Sequence, residues 1–198
     1  MRQARWGGRL AAALLGAPLA LAFPRPGWWW LALVGLVPVL LLARAAPSGG
    51  EAAVRTWLGG TGFFLAVNAF LFPTVGLFMV PLAMLLALTW LPVGWLTWAL
   101  LGGAADPDPP AAGAPTGRVV QRRNAGAWLP TAPTPGAPTP RRLAAALVLV
   151  PCAFVVGEAL RSWERLGGPW GLLGASQWNA PALLSVAALG GVWGLSFL

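Results

Sequence analysis

No charged side chain occurs between Arg55 and Asp106, and that stretch contains two long apolar runs, residues 56–72 and 76–101. A bilayer core about 30 Å thick needs about 20 mostly apolar residues per crossing helix, so each run reads as a span. Comparable runs cover residues 10–23, 28–43, 143–160 and 182–198. Across the 198 residues, 58% are hydrophobic and 9% charged, and mean hydropathy is +0.71. An ordinary soluble domain carries roughly a quarter charged residues, and no soluble fold hides this much apolar surface. The expected fold is therefore an all-α polytopic membrane bundle of about six transmembrane helices. Its last helix is still apolar at Leu198 and reads as cut off at the C-terminus.

The charges set an expected topology. Arginine supplies all thirteen basic side chains, since Lys and His are absent, and the net charge is +8. These residues lie between apolar runs and are not gathered on a soluble face, which argues against nucleic-acid binding. With the N-terminus inside, Arg2, Arg5, Arg9, Arg44, Arg55, Arg118, Arg122, Arg123, Arg141 and Arg142 are cytoplasmic, and Arg25, Arg161 and Arg165 are outside. That is the orientation favoured by the positive-inside rule. The chain then divides into four transmembrane helices in residues 1–102, a Pro/Arg-rich disordered cytoplasmic loop at 103–142, and helices five and six in 143–198. The connection at 161–181 falls on the outer face. The expected location is a bacterial plasma membrane.

Smaller features refine this picture. Trp28, Trp29 and Trp30 follow a tight Pro24–Gly27 loop and suit an aromatic belt at headgroup depth. Gly59, Gly60 and Gly62 offer a surface for close helix packing, and Pro81 and Pro92 predict kinks. The single cysteine, Cys152, excludes an intrachain disulfide and, with no His, a conventional metal cluster. Its apolar setting leaves the thiol inert. No cofactor, phosphate loop or nucleophile elbow is expected.

Five residues stand out as candidates for substrate or lipid contact. Glu158 is the acid inside an apolar run, and Arg161 follows three residues later on the same helical face. An ionisable group at membrane depth is costly and so a functional candidate, although an ion pair fixing the helix end is the simpler role. Downstream, Gly167–Gly171 and Gly174–Gln177 combine backbone freedom with the indole of Trp170, the hydroxyl of Ser176 and the amide of Gln177. They suit either a site at the outer surface or a plain interfacial turn. Asn68 is expected to make an interhelical hydrogen bond.

The motif Glu158-Ala159-Leu160-Arg161, a short spacer, then Gly168-Pro169-Trp170 through Gly174-Ala175-Ser176-Gln177 resembles bacterial apolipoprotein N-acyltransferases. Leu21-Ala22-Phe23-Pro24 with the tryptophans after it, Gly60 to Leu65, and Gly190 to Leu198 are similar to further parts of that family. Helix three departs from it, with Ala69-Phe70 where a Trp is common. The resemblance implies acyl transfer from a phospholipid donor to the N-terminal diacylglyceryl cysteine of an apolipoprotein acceptor. It also implies an outer nitrilase-like domain with a Glu-Lys-Cys triad. A chain without Lys contains no such triad, so no catalytic residue is expected here and the chain by itself should be inactive. The alternative is a non-enzymatic membrane protein, such as a transporter half or an assembly subunit.

Overall fold

The computed structural model describes residues 2–24, 26–102, 138–163 and 170–198. Helix α1 (Arg2–Gly16) tightens into a 3₁₀ turn, Ala17–Ala22, at Pro18. The proline lacks the N–H that would bond the carbonyl four residues back. The chain reverses at Gly27, φ +76°, where Trp28 N–H donates to the Leu21 carbonyl at 2.9 Å. Helices α2 (Leu31–Val34) and α3 (Val37–Arg44) follow, then α4 (Gly49–Val67). Helices α5 (Phe72–Val75), α6 (Met79–Ala87) and α7 (Leu91–Leu101) join through 3₁₀ turns into one helical stretch. After the undescribed segment come α8 (Pro140–Arg161), a 3₁₀ stretch Leu173–Asn179, and α9 (Pro181–Phe197). The described residues contain no strand.

Two stretches, Ala69–Leu101 and Pro140–Arg161, are long and apolar enough to cross a membrane. Trp6–Ala22, Leu31–Arg44 and Pro181–Phe197 are apolar but shorter. The packing is the reverse of a soluble domain's. Large side chains such as Leu77, Phe78, Leu85, Leu147 and Leu189 point outward, while Ala12, Ala52, Ala83 and Ala87 are buried. Small residues inside let helices approach where water exclusion gives no drive.

Helix α4 is the hub, packing on α1, α3, α6 and α7. A Cβ on Gly62 would overlap the Ala13 carbonyl of α1, one on Gly16 the Gly59 carbonyl, and one on Gly60 the Trp90 ring. Of the glycines expected to pack closely on this helix, Gly59 and Gly62 thus seat α1 and Gly60 seats Trp90. Around it Phe63, Phe64, Trp90 and Phe154 form an aromatic core, with Phe63–Trp90 centroids at 5.8 Å and Trp90–Phe154 at 5.2 Å.

Several expected boundaries move. The third apolar helix starts at Gly49, not 56, because the Ser48 side chain caps it, accepting from Glu51 N–H at 3.3 Å. Glu51 and Arg55 are therefore helical and buried. Arg9 reaches Glu51 at 2.8 Å, and Arg55 Nε lies 3.4 Å from the same carboxylate. Arg55 also donates to the Leu42 carbonyl at 2.8 Å. Pro92 does break its helix, with the 3₁₀ turn Leu88–Trp90 before it. Pro81 likewise lies in the first turn of its helix, α6, with the 3₁₀ turn Gly76–Phe78 directly before it and Gly76 at φ +54°. Helix α8 begins at Pro140, capped by Thr139, so the Pro/Arg-rich stretch gives up its last residues to a helix. The rest of that expected loop, 103–137, lies outside the described residues, as do 164–169 with Arg165, Gly167, Gly168 and Pro169.

Candidate functional site

The five candidates converge where α8 ends. Glu158 and Arg161 face the same way, and both are buried, 1% and 3% exposed. Their charges lie 3.9 Å apart, the outer limit of an ion pair. Each has a closer partner on the segment beyond. Glu158 Oε1 accepts from Leu173 N–H at 2.7 Å, and Arg161 Nη1 donates to the Trp170 carbonyl at 3.0 Å. An acid and a base one helical turn apart thus hold the donor and the acceptor of a single chain reversal. Gly171 makes that reversal at φ +71°, and a Cβ added there would lie 3.3 Å from the Phe63 ring. The face of Arg161 lies 4.5 Å over Phe64, so aromatic quadrupole and carboxylate share the work of stabilising a desolvated cation.

Beyond the reversal the network continues through the 3₁₀ stretch. Ser176 Oγ donates to the Leu173 carbonyl at 2.6 Å. Gln177 Nε2 donates to Ser176 Oγ at 3.1 Å and to the Trp29 carbonyl at 3.1 Å. Gly174 N–H donates to Ser196 Oγ of α9 at 2.9 Å, and a Cβ on Gly174 would overlap the Val192 carbonyl. The segment 170–177 is thereby tied to α8, to α9 and to the tryptophan hairpin. Arg161 Nε and Gln177 Oε1 have no hydrogen-bond partner among the described residues, which makes the network sensitive to any further loss, while the Glu158 carboxylate also has the Ser196 hydroxyl beside it.

Of the five, Trp170 alone is exposed, at 55%, and its ring meets Phe70 at 5.6 Å between centroids. Ser176 and Gln177 are buried at 0% and 2%. Asn68 departs from expectation: its amide donates to the Phe64 carbonyl of its own helix at 3.1 Å, capping α4 without bridging to another. Cys152 sits exposed on α8. The described residues hold no cluster of metal-ligating side chains. Sequence reasoning missed Arg9, Glu51 and Arg55 as a unit. The signal was there in Ser48-x-x-Glu51, a capping pattern placing the acid one turn before Arg55.

Among the described residues the structure defines a class: a helical, outwardly apolar bundle with a buried ion network at one end and, at the other, a polar device that clamps a loop at a helix end. Residues 15–198 match the family model of the apolipoprotein N-acyltransferase N-terminal domain, and the chain belongs to that family. It is 32% identical over 195 residues to an apolipoprotein N-acyltransferase of Azotobacter vinelandii, covering 97% of this chain and 32% of that protein. It is 30% identical over 205 residues to one of Pseudomonas aeruginosa, covering 98% and 32%. A shorter match, 46% identical over 46 residues, links it to apolipoprotein N-acyltransferase 1 of Treponema denticola. The chain spans about a third of the length of the first two relatives.

Proposed function

We propose that this chain is the membrane-embedded part of an apolipoprotein N-acyltransferase of a bacterial plasma membrane, its N-terminus cytoplasmic and its helices crossing about six times. The enzyme transfers an acyl chain from a phospholipid to the N-terminal diacylglyceryl cysteine of a lipoprotein. This chain contributes position and not covalent chemistry. It has no Lys for a Glu-Lys-Cys triad, and its one cysteine stands on an exposed helix face. Glu158, Arg161, Ser176 and Gln177 hold the outer segment in place, and Trp170 meets lipid.

The observation that supports this reading most is that the described parts of the motif that resembles the family, residues 157–163 and 170–177, meet in the buried clamp described above. A side chain at 1% exposure that bonds a backbone amide 15 residues on serves to fix a loop. At the outer rim, that loop is where a donor lipid and a catalytic domain would meet.

The test is complementation of a bacterium depleted of its own N-acyltransferase, with N-acylated lipoprotein measured by mass spectrometry of the N-terminal peptide. The full gene product should restore N-acylation, and Cys152→Ala should restore it equally. Residues 1–198 alone should not. Stable membrane insertion of the full product without any N-acylated lipoprotein would overturn the reading.

A further inference from the structure

Helix α9 is not one straight rod. Gly191, at φ +60° and ψ −158°, turns the chain back on itself, so that a Cβ built on Gly194 would lie 3.9 Å from the Val186 carbonyl. In an unbroken helix those two positions stand about 12 Å apart along the axis. A Cβ built on Gly190 or Gly191 meets open space among the described residues, so packing demands glycine at neither. Gly191 alone of the two has a positive φ, which an L-residue adopts at a cost. The returning residues, 192–197, lie against the outer loop: the Val192 carbonyl, Leu195 and Ser196 are the nearest neighbours of a Cβ built on Gly174.

One side chain on that returning half behaves unlike its kind. A hydroxyl within a helix commonly bonds a carbonyl three or four residues back, and Thr56, Thr61, Thr89, Thr97 and Ser185 all do so. Ser196 turns to the loop instead. Its Oγ accepts from Gly174 N–H at 2.9 Å, which leaves its own proton available, and the Glu158 carboxylate stands beside it. That carboxylate already holds the preceding amide, Leu173 N–H, at 2.7 Å. A carboxylate is the strongest kind of acceptor a hydroxyl can meet.

We propose that Ser196 is a positioning residue for the segment 170–177, its hydroxyl accepting from Gly174 N–H and donating to the Glu158 carboxylate, so that the returning half of α9 forms a third arm of the clamp. Two arms reach the segment from α8 through Glu158 and Arg161. The third fixes the acid itself, and with it two successive amides of the loop. Spacing in the sequence hides this arm, because 22 positions and a chain reversal separate Gly174 from Ser196. Its consequence for acyl transfer rests on the acyltransfer reading, while the bonds stand without it.

The test measures amide hydrogen exchange at Leu173 and Gly174 in the full gene product in lipid nanodiscs, resolved residue by residue by fragmentation mass spectrometry. Both amides should be protected in the unaltered protein. Val and Thr have nearly the same shape and differ by the hydroxyl, so Ser196→Val and Ser196→Thr isolate it. The valine variant should speed exchange at both amides about tenfold or more, the weight of a hydrogen bond to a charged group, and the threonine variant should keep most of the protection. Leu173 is the sharper reading, since its own partner Glu158 is untouched. Gly191→Ala should act like the valine variant by disfavouring the reversal, whereas Gly190→Ala should be silent, and this pair decides should either Ser196 variant extract poorly. N-acylated lipoprotein made by the same variants should fall about tenfold with valine and recover with threonine. Equal exchange in the valine and threonine variants, or unprotected amides in the unaltered protein, overturns the proposal, and so does faster exchange with acyl transfer undiminished. An unaltered protein that protects both amides, loses that protection with valine and transfers no acyl chain supports the third arm and sinks the acyltransfer reading alone.

Discussion

Glu158 and Arg161 illustrate why the partners of a buried charge matter more than its pairing. At 3.9 Å their mutual attraction is the weaker part. The shorter bonds run to Leu173 N–H and the Trp170 carbonyl, and the pair matters because each neutralises the other while doing so. Removing one charge leaves its partner buried and uncompensated, at a cost of about 3 kcal/mol or more. Glu158→Gln and Arg161→Gln should each lower the stability of the detergent-extracted protein by about that much. The double variant should lose less than the sum, with a coupling of about 1–3 kcal/mol. Simple additivity would show that the two side chains act independently. Gly171→Ala adds a second test at this scale. It forces an L-residue to φ +71° against Phe63, costing roughly 1–2 kcal/mol from backbone alone, and should depress thermal stability with both charges intact.

Helix α4 carries the fold because its glycines let α1 approach to backbone contact. Gly62→Leu drives a side chain into the Ala13 carbonyl, which cannot rotate away as a side chain would. The loss should reach or exceed about 3 kcal/mol, the upper end for overpacking. Gly50 on the same helix has nothing within 4 Å of a built Cβ, so Gly50→Ala should be neutral or stabilising by about 0.5 kcal/mol. Equal effects of the two in a thermal-unfolding series would contradict this packing. What was legible at this scale follows from local rules. The glycine face of residues 59–62 and the Glu158–Arg161 face come from spacing of three or four residues, and the break at Pro92 from the N–H that proline lacks. For Glu51 the local part, its cap pattern with Ser48 and its i, i+4 partner Arg55, was legible and missed, while its second partner Arg9 stands 42 positions away on another helix and required the fold. The same holds for Gln177, whose bond to Trp29 O spans 148 positions. Its identity as a candidate came from resemblance, while its role as a tie between hairpin and loop required the fold. Asn68 was misjudged since a helix-capping bond to its own turn competes with any neighbour.

At the scale of the molecule, the fold sorts charge between its two ends. Arg9, Glu51 and Arg55 meet where α1 and α4 begin. The Arg44 carbonyl lies against Gly102, and Arg142 donates to the Ala99 carbonyl, so the ends of α3 and α7 and the start of α8 share that end. The opposite end holds Asn68, Trp29, Trp170 and, among described cations, Arg161. The basic end should therefore face the cytoplasm, since arginines near helix ends resist translocation. A phosphatase reporter active only in the periplasm should be silent when fused near Gly126 and active when fused after Asn179, and a cytoplasm-dependent fluorescent reporter should show the reverse. Arg141→Glu with Arg142→Glu tests the cause. With both reversed, eight of the ten arginines assigned to the cytoplasmic side remain against three outside, so orientation should hold, whereas replacing all ten should produce a mixed population. A phosphatase signal at Gly126 in the unaltered protein would reject the orientation, and with it the placement of the Glu158 clamp at the outer surface.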